Sequence, residues 1–160
     1  MFRRLTQFAF AALISIVLSA AWGGSAQAQY SITILRGVDA NVATGTASRA
    51  PSQFVFTGNP PTLSLFDTAA DAAAAGVNKP CYLRVVVDMP RLVLLPGDLG
   101  TIVANGHRFV VVFNSNPPGH WSILLGNYLQ LAGRTDFSAY AIANPNFVNG
   151  FGLNNGVDCK

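Results

Sequence analysis

The chain has 160 residues, a formal net charge of +3 and no glutamate. Charged residues make up 11% of it, against about 25% in an average soluble domain, so Asn, Ser, Thr, Gln and Gly must supply most of the polar surface. No run of Lys or Arg follows Arg3-Arg4, which argues against nucleic acid as a partner, because tracking a phosphate backbone needs clustered cations.

The first residues, MFRRLTQFAFAALISIVLSAAWGGSAQAQY, have three parts. Arg3 and Arg4 form a positive start, Phe8 to Trp22 an apolar run, and Ala26-Gln27-Ala28 a small-residue exit. That is the layout of a secretory signal peptide over residues 1–28, cut after Ala28. The apolar run is shorter than the roughly 20 residues a membrane-crossing helix requires. Phe2 precedes the arginine pair where a twin-arginine signal would carry Ser or Thr, so general secretion is the expectation. No cysteine lies near the cut, so lipid attachment there is not expected. The product, residues 29–160, is expected to form a single β-rich domain without a membrane span, in a periplasm or outside the cell. Loss of Arg3 and Arg4 takes its net charge from +3 to +1.

Within that domain, YSITILRGV from Tyr30 alternates apolar and polar side chains, the period of a strand. Asp39 to Ser52 is small and polar and reads as a loop. QFVFT, 53–57, predicts a short strand ended by Gly58-Asn59-Pro60-Pro61. A helix is expected over the alanines from Thr68 to Ala75. Asp67 is its predicted N-cap, Gly76 takes the C′ position and Pro80 prevents continuation. An earlier start that takes in LSLF is the alternative.

From Cys81 the pattern is of successive strands: CYLRVVVD, RLVLL, GTIVA and HRFVVVF, then HWSILL, YLQLA and DFSAYAIA. Asn105-Gly106 between two β-branched runs predicts a type I′ hairpin, since both central residues of that turn need positive φ. The tail after Asn144 is rich in Asn and Gly. The fold class expected is mainly β: a single antiparallel β sandwich or half-open barrel with one short helix packed on it, with α+β as the alternative.

The chain holds two cysteines, Cys81 and Cys159. In an oxidising compartment they are expected to form one disulfide, stabilising the fold by roughly 4–5 kcal/mol in the chain-entropy picture and anchoring the tail. No C-x-x-C spacing suggests a redox role.

Candidate chemistry centres on NSNPPGHWS, Asn114 to Ser122. His120 and Ser122 are two apart, so on a strand they share a face, as a hydrolase pair would need. No G-x-S-x-G elbow accompanies them, and the plainer reading is a corner before a strand led by Trp121. His107 and His120 are the only histidines, too few with their flanking sequence for a zinc site, so no metal is expected. Paired carboxylates for glycoside hydrolysis are not singled out either. ILRG, ending in Arg36-Gly37, resembles the strand-borne, NAD-contacting arginine of exported ADP-ribosyltransferase toxins, and FVFTG resembles their second strand. The resemblance implies NAD-dependent transfer at Arg36. It departs from that family in lacking both the Ser-Thr-Ser motif and the catalytic glutamate.

The leading expectation is therefore a non-catalytic binding module, or part of an envelope or extracellular assembly, that uses no cofactor. Its partner would be a protein, peptide or carbohydrate, with Arg36, His107, His120 and Trp121 as candidate binding residues. Tyr128, Tyr140, Phe147 and Phe151 could add to a contact surface, though most are expected in the core. The alternative is an exported enzyme, either a transferase using Arg36 or a hydrolase using His120 and Ser122.

Overall fold

A computed structural model describes residues 30–41, 43–150 and 159; the signal peptide expected over residues 1–28 lies outside them. The strands are β1 (Tyr30–Val38), β2 (Ala40–Asn41), β3 (Thr46–Ala47), β4 (Thr62–Phe66), β5 (Cys81–Met89), β6 (Leu99–Ala104), β7 (His107–Phe113), β8 (His120–Leu124) and β9 (Phe147–Asn149). The helices are α1 (Ala69–Ala74) and α2 (Gln130–Ala143), with a 3₁₀ turn at Pro51–Gln53. Six strands pair in the order β1-β4-β8-β7-β6-β5, and β5 pairs β1 again, so the sheet closes into an antiparallel barrel. Of the two architectures expected, barrel and sandwich, the structure is the barrel.

Alternation decides what fills it. Leu83, Val85, Val87 and Met89 of β5, Ile102 and Ala104 of β6, Phe109 and Val111 of β7, and Trp121 and Ile123 of β8 are all buried. Their neighbours Arg84, Val86, Val103, Arg108 and Val110 are exposed, as a period of two requires when one sheet face is wet. Gly100 is needed on the inward side, because a Cβ there would overlap Met89 Sδ and Val87 Cγ1. The hairpin between β6 and β7 turns at Asn105 (φ 49°) and Gly106 (φ 80°), both in the left-handed region, as the Asn-Gly dipeptide predicts.

α1 lies where it was expected, but its cap differs. Thr68, not Asp67, accepts from the Asp71 N–H at 3.0 Å. Gly76 (φ 82°) takes the C′ position. The Gly76 and Val77 N–H groups donate back to Ala73 and Ala72, the Schellman arrangement. LSLF belongs to β4. The helix packs outside the barrel, where Ala72 joins Leu35, Phe66 and Tyr82 in a second apolar cluster.

Four expected strands are not strands. YLQLA and DFSAYAIA together overlap α2, whose buried Gly133, Phe137 and Ala141 recur every four residues. A glycine in mid-helix obscured that period, and it is there because a Cβ would meet Leu125 Cδ1 at 2.8 Å and Phe56 at 3.1 Å. QFVFT is a 3₁₀ turn and an irregular segment. Its Phe54 and Phe56 close one end of the barrel with Phe109 of β7 and Phe137 of α2, at ring separations of 5.0–6.3 Å. RLVLL, between Pro90 and Pro96, is a loop. The short β9, by contrast, was not expected.

β5 holds this arrangement together. Along one edge it pairs all nine of its residues with β1. Its other edge is shared: Asp88 pairs with Thr101 of β6, while Cys81 to Leu83 pair with β9. Cys81 and Cys159 are disulfide-bonded, with 5.5 Å between their Cα atoms, and both are buried. The bridge spans a sequence separation of 78 and ties the last residues to the strand that anchors the sheet. Cys159→Ser, with Cys81→Ser to avoid a stray thiol, is expected to lower unfolding stability by about 4 kcal/mol, read from the midpoint of urea denaturation.

Candidate functional site

Arg36 lies on the inward side of β1, at one of the two seams of the barrel that hold a single register pair. β1 and β4 share one register pair, Leu35 with Phe66. Beside it Arg36 Nη1 donates to Ser64 O at 2.9 Å, and Nη2 and Nε donate to Gln53 O at 2.8 and 3.3 Å. One side chain thus joins β1 to β4 and to the 3₁₀ turn. Burial lowers the guanidinium pKa to about 10, opposed by the nearby Asp39 charge, so Arg36 stays charged at neutral pH. It is engaged with backbone carbonyls rather than presented to a cleft.

The Asn114–Ser122 segment is a corner with a hydrogen-bonded interior. Trp121 is fully buried, and its indole N–H donates to Asp67 Oδ1 at 2.7 Å. This contact, and the Asp67 N–H donating to Gly119 O at 2.8 Å, explain why Asp67 does not cap α1. His120 and Ser122 share the outer face of β8, as their spacing requires, but they do not bond to each other. Asn114 Nδ2 reaches both, at 2.6 Å to Ser122 Oγ and 3.2 Å to His120 Nδ1. The His120 ring packs on Phe66 at 5.2 Å. Burial lowers its pKa below the ordinary 6.5.

His107 sits at the other end of β7 from Asn114, about 20 Å away at the rise of a strand. It stacks on Tyr128 with centroids 3.8 Å apart and planes within 8°, and meets Phe109 edge-on at 4.6 Å. Beneath it lies the buried Asp136, which pattern reading missed. One of its oxygens accepts from Asn105 Nδ2 at 2.9 Å and the other from the Tyr128 hydroxyl at 2.8 Å. These bonds pin α2 to the β6–β7 turn. The hydrogen bond to Asp136 raises the Tyr128 pKa above the usual phenol range. The signal available in sequence was an aspartate four residues before Tyr140 on an otherwise apolar face.

The structure therefore does not gather Arg36, His107 and His120 in one cleft. The aromatic residues follow the core expectation: Tyr128, Tyr140 and Phe147 pack against the barrel core, and Phe151 lies outside the described residues. Among the described residues, no group of three or more His, Cys, Asp or Glu is placed to hold a metal ion, and no helix is long and apolar enough to cross a membrane.

A concave surface does exist elsewhere. An open groove of about 470 Å³ runs between the β2–β3 hairpin, residues 48–51 and the outer side of α2. Thr44, Thr46, Ser48 and Ser138 contribute hydroxyl-bearing side chains to its lining, and Ala47, Pro51 and Ile142 contribute apolar ones. Ser138 Oγ donates to Arg49 O at 2.6 Å, which fixes the groove floor, while Arg49 lies over the Phe147 ring at 5.0 Å. Its volume falls within the range usual for ligand sites.

Fold and site define a six-stranded antiparallel barrel with a disulfide-tethered C-terminus and, on one flank, a groove lined by hydroxyls, aliphatic side chains and Arg49. No protein family matches the sequence, and neither a curated protein nor a solved structure matches it.

Two measurements probe these side chains. Arg36→Ala is expected to destabilise the fold by about 3 kcal/mol, because two backbone carbonyls lose a charged donor. Arg36→Lys should recover only part of this, since an ammonium lacks the fork that spans both carbonyls; urea midpoints of the two variants check it. For His120, the unfolded chain takes up its proton near pH 6.5 while the folded chain resists to lower pH. Protonation thus favours unfolding, and stability falls as pH drops through 6.5. His120→Gln should remove that part of the pH dependence, seen as a flatter difference in midpoint between pH 7.5 and 5.5.

Proposed function

We propose that the chain is an exported, non-catalytic module that binds a saccharide or a peptide in the groove beside the β2–β3 hairpin. The observation that carries this reading is the engagement of the four sequence-predicted residues within the fold. Arg36 bridges backbone carbonyls, Trp121 fills the barrel, His107 stacks on Tyr128, and His120 rests on Phe66 beside Asn114. A nucleophile–base–orienter arrangement needs the base within hydrogen-bond reach of the nucleophile; here Asn114 is bonded to both Ser122 and His120. The groove, in contrast, offers hydroxyls beside aliphatic surface, suited to a hydroxylated or amide-bearing ligand. Export is supported by the leader-like N-terminal sequence, and a buried disulfide fits an oxidising compartment.

Titration of ¹⁵N-labelled protein with neutral oligosaccharides and short peptides tests this. Amide shifts are expected to concentrate in residues 43–51 and 138–142, and Ile142→Arg, at an exposed lining position, should weaken binding at least tenfold. Absence of shifts there, together with NAD or ester turnover abolished by Arg36→Ala or His120→Ala, would replace the reading with an enzyme.

A further inference from the structure

Four exposed aliphatic side chains cluster in and beside the loop between β5 and β6. Leu92, Val93 and Leu95 are 66%, 74% and 55% exposed, and Leu99, which opens β6, is 55% exposed. Leu94 between them packs against the barrel core, so the loop is anchored by one side chain and turns its neighbours outward.

This loop is held by its own hydrogen bonds. Asp98 Oδ2 accepts from the Leu95 N–H at 2.8 Å, and the Asp98 N–H donates to Leu95 O at 2.9 Å. The Gly97 N–H donates to Phe113 O at 2.7 Å, and the Phe113 N–H returns to Asp98 O at 2.9 Å. Arg91 and Asp98 are the ionisable residues of the segment 90–98, and they pair with each other at 2.8 Å. The tip therefore carries no net charge, and its backbone is ordered before any contact is made. Both features lower the cost of moving it into an apolar medium.

Chain connectivity says which medium lies nearby. Tyr30, the first described residue, pairs with Met89, one residue before the loop begins. The apolar run Phe8–Trp22 ends eight residues earlier, a separation that extended chain covers in no more than about 30 Å. Whenever that run occupies a bilayer, the Leu92–Leu95 corner is tethered close to the same surface. Tyr30 is half-exposed at this corner, and tyrosine is a residue favoured at lipid headgroups.

We propose that Leu92, Val93 and Leu95 form a bilayer-seating tip, through which the folded barrel rests on lipid on the side from which its N-terminal chain arrives. Three aliphatic side chains on a convex turn suit shallow insertion into the headgroup–acyl boundary. A protein partner would call for a larger surface with aromatic or arginine anchors. The contact is separate from the groove, so either reading can fail alone.

The test uses protein from the full chain and vesicles of phosphatidylcholine, or of phosphatidylethanolamine with phosphatidylglycerol. A tryptophan placed by Val93→Trp should shift its emission to the blue on both vesicle types and be quenched by brominated lipid, relative to the same chain without it. In the Val93→Trp background, Leu92→Ser with Leu95→Ser should cut the vesicle-bound fraction of that signal at least tenfold while leaving the melting temperature within a few degrees. An unchanged spectrum on both vesicle types would overturn the proposal. So would a signal that survives the double serine change, or a blue shift that depends on protein concentration without lipid, which would assign the tip to a second copy of the chain.

Discussion

A closed barrel has no spare edge, and this one has a thin seam between β1 and β4. β1 and β4 meet at a single register pair, and the carbonyls around the opening need donors because an unpaired backbone group in a buried position is costly. Arg36 supplies them from three nitrogens, two to Gln53 O and one to Ser64 O. Arg36 thereby helps place the 3₁₀ turn, while Asp39 N–H to Gln53 Oε1 and Gln130 Nε2 to Phe56 O hold the segment that carries Phe54 and Phe56 over the barrel end. The desolvation of Arg36 is offset by the charge-assisted bonds it makes and by the field of Asp39.

On the other edge of β1, β5 carries a different load. Nine pairs to β1 make its first edge continuous, while its second edge is divided between β6 and β9. β9 is only three residues long, in an Asn- and Gly-rich tail, and has just Phe147 and Val148 to pack against the barrel. The Cys81–Cys159 bridge supplies the constraint that such a tail lacks, and Cys81 serves at once as a ladder residue and as the attachment point.

The chemistry-bearing side chains are distributed by these structural demands. His120 and Ser122 lie outside the barrel at one end of β7, His107 and Asp136 lie at the other, and Arg36 is turned inward at the seam. Asn105 to Asp136 joins the β6–β7 turn to α2, while Asp67 to Trp121 and Asn114 to Ser122 tie the residues that follow β4 and β7 to β8. Polar residues used in this way specify which turn meets which helix. The surfaces left for contact with other molecules are of another kind, a hydroxyl-lined groove and an aliphatic tip, and the proposed functions rest on those.

What the amino-acid sequence determined alone are features that depend on local rules. Alternation marked β1, β5, β6, β7 and β8; Asn105-Gly106 marked the hairpin because both residues must adopt positive φ; Gly76 marked the end of α1; and an even cysteine count marked the disulfide. Tertiary structure decided what local rules leave degenerate. Short apolar runs such as YLQLA and RLVLL satisfy strand, helix and loop alike, so α2 became a helix because Gly133 let it lie against Leu125 and Phe56. RLVLL became a loop between two prolines, at a corner where the second edge of β5 is already taken by β6 and β9. Whether Arg36 faced a ligand or a carbonyl was also beyond pattern, since that depends on Gln53 and Ser64, which the chain brings to it only by closing the barrel.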